Sequence, residues 1–433
     1  MPQKDAIQAY LAKFGCEEFV LAETLKEGLW EAVVVLPAYD ETAENIIDVF
    51  KELCEVPVLC ILVLNAPKKA APLNDSPEQV LHHLKATALD APFPVWHAKA
   101  ANVDFLIVDR FSQGREIPLK NGVGLARKIG GDIAAHAISL GLVRTPWIFS
   151  TDADATLPSN YLEATEIQEA DNSAVYFPFI HRGKTGGEPS QPLALYELSL
   201  RYYTASLATN IKRTAHDTIG SALAVRATAY AEVRGFPPRS GGEDFYLIAK
   251  AAKVGCVALA KTKPVLVTER ESDRVPFGTS TGTRKISQQL EARERVLFYD
   301  PRVFSCLGAL EKAVASFFSN RSIDDFNRVL ASNPLSQAIY AVIESTGLQH
   351  RLILADSQTK ALPDLRKRVF DWFDHFRVLK MVHFLRDEYF CNIDWTEALA
   401  KSEFVRDRMS QEQEALFALR QWQYPHLDAE LLH

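Results

Sequence analysis

Short apolar runs alternating with stretches of helical periodicity constrain this chain more than any other feature, because that alternation is what a sheet covered by helices on both faces requires. Ala32 to Leu36, Val58 to Leu64, Phe105 to Val108, Trp147 to Ser150, Ala174 to Phe179, Ala222 to Val225 and Val265 to Thr268 read as strands. Glu44 to Cys54, Glu78 to Leu89, Leu125 to Leu140, Ser159 to Glu169, Leu193 to Ile211 and Glu243 to Val254 read as helices. The alternation stops near residue 300. From Val303 onward the chain holds only 2 of its 20 glycines and 3 of its 22 prolines, so that stretch is expected to be helical. Val369, Trp372, Phe373, Phe376 and Leu379 recur there at the spacing of an amphipathic face, and a second helix is expected from about Glu403 to Gln421, beyond an Asp394 cap.

Composition narrows the function classes. With 48 basic and 55 acidic residues the formal charge is −7, so no global positive field recruits nucleic acid or anionic lipid. Residues after 302 share this balance, and a polyanionic ligand would need a local pocket. No window approaches the roughly 18 uninterrupted apolar residues of a spanning helix, and the N-terminus lacks the pattern of a secretory signal. The six cysteines are scattered without metal-ligand spacing. A soluble cytoplasmic protein is the expectation.

Three segments carry chemistry. In the first, the apolar run at Ile148 enters Ser150-Thr151-Asp152-Ala153-Asp154, placing two carboxylates one residue apart at a strand end. Such a pair can converge on a hard divalent cation whose shell phosphate and water complete. The spacing alone is cheap, with roughly one chance match expected in an acidic chain of this length. Its position gives it weight, since ligands bind at the carboxyl ends of strands in open α/β sheets. Two solvated aspartates capping the next helix remain the plainer alternative. The second segment, Gly235 to Leu247, brings Glu243 and Asp244 behind Gly241 and Gly242 to a helix start, where they suit either the helix dipole or a general base. In the third, the strand from Ala32 ends in Pro37-Ala38-Tyr39-Asp40-Glu41, which also suits an ordinary strand-to-helix turn.

Taken in order, these segments resemble the family 2 glycosyltransferases of GT-A fold over approximately Glu31 to Arg274. Lys120-Asn121-Gly122-Val123-Gly124-Leu125-Ala126-Arg127 is similar to that family's glycine-rich segment with its Ala-Arg pair. The resemblance implies an α/β fold of GT-A type, a Rossmann-like mixed sheet flanked by helices, followed by an α-helical C-terminal domain. The expected division is an N-terminal helical segment over 1–30, a GT-A domain over 31–300 with a polar insertion at 66–100, and a helical domain over 301–433. It also implies a metal-dependent inverting glycosyltransferase that moves a sugar from a nucleotide-sugar donor to a hydroxyl of a small-molecule or glycan acceptor. Pro37, Ala38, Tyr39, Glu41 and Arg127 would line the donor. Asp152 would contact ribose or metal-bound water, and Asp154 would ligate Mg or Mn, with Asp152 assisting. Asp244, with Glu243 beside it, would be the base.

The chain departs from the family in two places. Its second strand ends in Asn65-Ala66-Pro67 rather than paired acids, and no histidine lies between His216 and His350 to serve as a further metal ligand. Arg270 or Arg274 would contact the diphosphate there, with surface ion pairing as the equal alternative. Two other readings stay open, a sugar-1-phosphate nucleotidyltransferase and a non-catalytic sugar-nucleotide or glycan-binding protein. Arg182-Gly183-Lys184-Thr185 imitates a P-loop but lacks its upstream glycine, where Pro178 stands. The C-terminal helices offer surfaces for homo-oligomerisation.

Overall fold

The computed structural model describes residues 2–25, 28–53, 56–65, 75–165, 171–270, 278–405 and 409–433. The chain divides into two compact units: Met1–Pro189 with Thr218–Gly282, and Ser190–Asp217 with Thr283–His433. A single cut at residue 301 therefore does not describe the division. The helix Gln191–Asn210, expected within the α/β domain, groups with the helical unit, because its buried Leu195, Leu198 and Tyr202 pack among Phe304, Leu307 and Leu310.

The first unit is α/β. Its strands in chain order are β1 (Ala32–Tyr39), β2 (Val58–Asn65), β3 (Thr87–Ala88), β4 (Val95–Ala100), β5 (Val103–Arg110), β6 (Trp147–Ser150), β7 (Ala155–Thr156), β8 (Asn172–Tyr176), β9 (Phe179–Arg182), β10 (Leu223–Arg226), β11 (Cys256–Leu259) and β12 (Val265–Thr268). Nine of them form one mixed sheet in the order β11-β8-β10-β6-β1-β2-β5-β4-β3. β1 is central, parallel to β2 and β6, and β10 runs antiparallel between β6 and β8. Alternation along the central strands explains the burial of both faces. Val34, Leu36, Cys60 and Leu62 belong to one core cluster, and Val33, Val35, Leu59 and Ile61 to the other. β7, β12 and β9 make a second, three-stranded sheet.

The helices of this unit are α1 (Pro2–Phe14), α2 (Ala43–Asp48), α3 (Pro77–His83), α4 (Gly122–Leu140), α5 (Ala227–Glu232) and α6 (Glu243–Ala251). α4 is the central packing helix, with Ile129, Ile133, Ala134 and Ala137 buried, and Gly130 lies so close to Val35 that a Cβ would stand 2.5 Å from it. α1 is pinned by Asp132, which accepts hydrogen bonds from Tyr10 and Tyr230 and pairs with Lys128.

Several expectations change. The run Ala174 to Phe179 is two strands in different sheets, since it breaks at Pro178, which has no N–H for a ladder. Within Ser159 to Glu169 the described residues form one 3-10 turn, Tyr161–Thr165, and 166–170 lie outside the description. The described part of the 66–100 insertion extends the sheet: β4 pairs antiparallel with β5 and β3 with β4.

The helical unit is built around helices Pro301–Asn320, Ser336–Thr346 and His375–Glu388, whose apolar faces share one core. Asp394 caps a helix at Trp395 as expected, Trp395–Ala400, and the following helix starts at Glu412 rather than near Glu403. Among the described residues no helix is long and apolar enough to cross a membrane.

Candidate active site

The chemistry-bearing segments converge at the carboxyl ends of β1 and β6, which are neighbours in the sheet. Thr151 donates its N–H to Val35 O at 3.0 Å, so the chain leaves β6 beside β1. A turn closed by Ala155 N to Asp152 O at 3.1 Å then presents both aspartates, and Thr268 N donates to Asp154 O at 2.8 Å. That last bond fixes the end of β12 against the turn and delivers Arg270. On the β1 side Asp40 adopts φ 57°, a left-handed conformation that aspartate tolerates better than most residues, and Glu41 follows it into a buried position.

The third wall is the start of α6. Gly242 takes φ 72° ahead of Glu243, so the turn requires a residue that enters the left-handed region freely. The 237–240 loop lies against the first turn of α4. Gly124 N donates to Arg239 O at 2.9 Å, and a Cβ on Gly124 would stand 2.4 Å from Pro237 O. The glycines of the α4 segment therefore serve close backbone packing.

Seven charged side chains form one linked set. Arg127, only 2% exposed, donates from Nη2 to both oxygens of Asp152 at 2.8 Å, and its Nε stands 3.4 Å from Glu243. Arg270 pairs through Nε with Asp154 at 2.9 Å and through Nη1 with Glu41. Asp244 lies beside Glu243 in the first turn of α6. Among the described residues this set holds five carboxylates and two guanidiniums. Burial, with repulsion from Asp152 and Glu41 and against the pull of Arg270, pushes the Asp154 carboxyl up to about 6. Burial and the neighbouring Glu243 push Asp244 up to about 7, although Arg127 opposes this. Glu243 is raised by burial as well. Burial would lower both arginines, but their carboxylate partners prevail and raise them. The helix dipole, worth about 0.3–1 kcal/mol for an exposed anion, does not offset these effects at α6.

These acids bear on cation binding. Among the described residues no three His, Cys, Asp or Glu side chains are grouped to hold a metal ion by themselves. Hard carboxylate oxygens fit a divalent cation shared with a ligand's phosphates, the usual arrangement for magnesium. Asp154 is itself paired with Arg270 through one oxygen. Asp152, expected to assist, is already held by Arg127 through both oxygens.

The other expected residues divide. Tyr39 and Pro37 are half-buried at the end of β1, whereas Ala38 belongs to the core cluster. Arg127 lies beneath the acids with Nε and Nη1 buried and lacking hydrogen-bond partners. Arg274 falls in 271–277, outside the described residues. Two participants were not singled out from sequence. A Cβ on Gly220 would stand 2.1 Å from Arg127 Nη2, so this glycine makes room for the guanidinium. Thr151 is fully buried with its Oγ1 unpartnered next to Asp152. A small residue just before a buried strand was the available signal for Gly220; nothing local marks Thr151.

No protein-family model matches the chain, and no curated protein matches it in sequence. Among solved structures, S. aureus TarS 1–349 in complex with UDP-GlcNAc is 12% identical, covering 78% of this chain and 89% of its own, with a TM-score of 0.35. A mannosyltransferase, PcManGT from Pyrobaculum calidifontis, in complex with GDP-Man and Mn2+, is 15% identical over 89% of this chain and 99% of its own, with a TM-score of 0.34. Mannosyl-3-phosphoglycerate synthase from Rubrobacter xylanophilus is 14% identical over 66% of this chain and 84% of its own, at 0.30. Similarity this shallow assigns no residue a role, and the site stands on its own geometry.

Proposed function

We propose that the α/β unit is a cation-assisted, inverting glycosyltransferase that moves a sugar from a nucleotide-sugar donor to an acceptor hydroxyl. The observation that carries this reading is the convergence of five carboxylates and two guanidiniums at the ends of β1 and β6 and the start of α6, with one carboxyl raised to about 6 and another to about 7. An acid poised near neutrality suits a general base.

Each residue then has a task. Glu41 and Asp154 hold charge at the donor end, and Arg270 supplies a fork of N–H donors suited to phosphate oxygens. A divalent cation, when bound, would neutralise the leaving diphosphate. Asp244 takes the proton of the acceptor hydroxyl as that oxygen attacks the anomeric carbon, and the departing nucleoside diphosphate carries off the electron pair of the broken glycosidic bond. Attack from the face opposite the leaving group inverts the centre. Glu243, held by Arg127, keeps negative charge beside Asp244 and so favours its proton uptake.

The test is a melting-temperature screen of UDP-, GDP-, ADP- and dTDP-sugars with magnesium or manganese, followed by assay of nucleoside diphosphate release. A ligand at 100 times its dissociation constant stabilises by about 2.7 kcal/mol. Asp154→Ala is expected to abolish cation-dependent donor binding. Asp244→Asn is expected to keep donor binding and lose about 10²- to 10⁴-fold in turnover. Donor binding with release unaffected by Asp244→Asn would leave a sugar-nucleotide binder, and no shift with any donor would end the proposal.

A further inference from the structure

The two arginines of the site are held differently. Arg127 projects from within α4, is 2% exposed, and lies so close to Gly220 that a Cβ there would stand 2.1 Å from its Nη2. Arg270 stands on the chain just beyond β12 with its side chain 29% exposed. Its backbone is anchored, because Ser280 Oγ donates to Arg270 O at 3.1 Å and Thr268 N holds the turn of Asp154. A change of side-chain rotamer alone would therefore release the guanidinium.

Arg270 also occupies a specific place. It bridges Asp154 and the buried Glu41, which comes from the other strand. A guanidinium and a divalent cation cannot both engage these oxygens at close range without repelling one another.

We propose that Arg270 and the divalent cation compete for the Asp154–Glu41 pair, so that cation and diphosphate enter together and Arg270 transfers its N–H donors from the carboxylates to the phosphates. This rests on the cation-assisted reading above. Before ligand arrives Arg270 pairs with both carboxylates. Afterwards the cation does so, and the released fork meets the phosphate oxygens accompanying it. Each of the two ligands then tightens the other, as linkage requires.

The experiment is calorimetric titration of the full chain with manganese alone, and with pyrophosphate at saturating manganese, a probe independent of base and sugar. Arg270→Gln is expected to tighten manganese binding about tenfold and to weaken pyrophosphate about tenfold. Arg270→Lys, which keeps the charge, is expected to bind manganese like the parent chain. Unchanged or weaker manganese binding by Arg270→Gln, or tightening by Arg270→Lys equal to that of Gln, would overturn the competition while Asp154-dependent manganese binding upheld the site. Manganese binding absent from parent and Arg270→Gln alike would instead remove the cation from the reading, and this proposal with it.

Discussion

Each unit carries a buried cluster of charged side chains, and the two clusters are built on opposite principles. In the helical unit, Glu197 accepts from Arg201 at 2.6 Å and from Arg420 at 2.8 Å, Arg420 continues to Leu432 O at 2.8 Å, and Arg201 reaches Gln423. Asp217 accepts from Thr204 at 2.9 Å and Tyr424 at 3.1 Å. Two carboxylates meet two guanidiniums, and every one of these four charges has named partners. In the α/β unit, among the described residues, five carboxylates meet two guanidiniums, and two nitrogens of Arg127 lack hydrogen-bond partners; burial raises Asp217 in the first cluster as it raises Asp154 and Asp244 in the second. A closed, neutral cluster holds elements together. An acid-rich one favours proton uptake by its buried carboxyls.

Removing a carboxylate should therefore change stability in opposite directions in the two clusters. The largest effect is expected from Glu197→Ala, which leaves Arg201 and Arg420 buried without their shared partner and should destabilise the helical unit by about 3–5 kcal/mol in urea unfolding. A loss under 1 kcal/mol would deny that cluster its structural role. Gly220→Ala pushes a methyl into Arg127 and should cost about 1–3 kcal/mol together with most nucleoside diphosphate release. Full activity with normal melting would show that Arg127 has room to move. Asp244→Asn should instead stabilise, on the order of 1 kcal/mol at pH 8, because it removes a charge that folding disfavours. Destabilisation there would place Asp244 in the structural class.

The same sign governs the pH dependence. Asp154 and Asp244 have folded-state values raised to about 6 and about 7 from 3.8. Between pH 4 and 7 the folded chain thus holds protons that the unfolded chain has released, and the contribution of these groups to stability falls as pH rises through that window. Urea midpoints measured from pH 5 to 8 should show the decline, and Asp244→Asn should flatten its upper part. Cation binding should release protons near pH 6, visible as a buffer-dependent heat.

Legibility from sequence follows the range of the interaction. β6 and β12 occur where apolar runs of four residues predict them, since a buried strand writes its own pattern. β4 escaped because Val95-Trp96-His97-Ala98-Lys99-Ala100 owes its conformation to pairing with β5 at the sheet edge. The helix expected to start at Glu403 begins at Glu412, because periodicity does not mark where a helix starts and Gln411 supplies no side-chain cap to do so. In the site, Asp152, Asp154, Glu243 and Asp244 were legible because two acids at the end of a strand or the start of a helix stand out locally. Gly220 and Thr151 were not, because their importance lies wholly in what approaches them.

The amino-acid order alone determined the alternation of strands and helices, the helical last third and the position of each acid at an element's end, because these depend on backbone propensity and on periodicities of 2 and 3.6 residues. Only the tertiary structure decided which charges meet. Arg270 reaches Glu41 across 229 positions and Arg127 reaches Asp152 across 25, contacts created by the parallel register of β1 with β6 and by the bond joining β12 to the Asp154 turn. Local pattern carries no information about such pairings, and it was they that gathered equal numbers of acids and guanidiniums in one cluster and, among the described residues, mostly acids in the other.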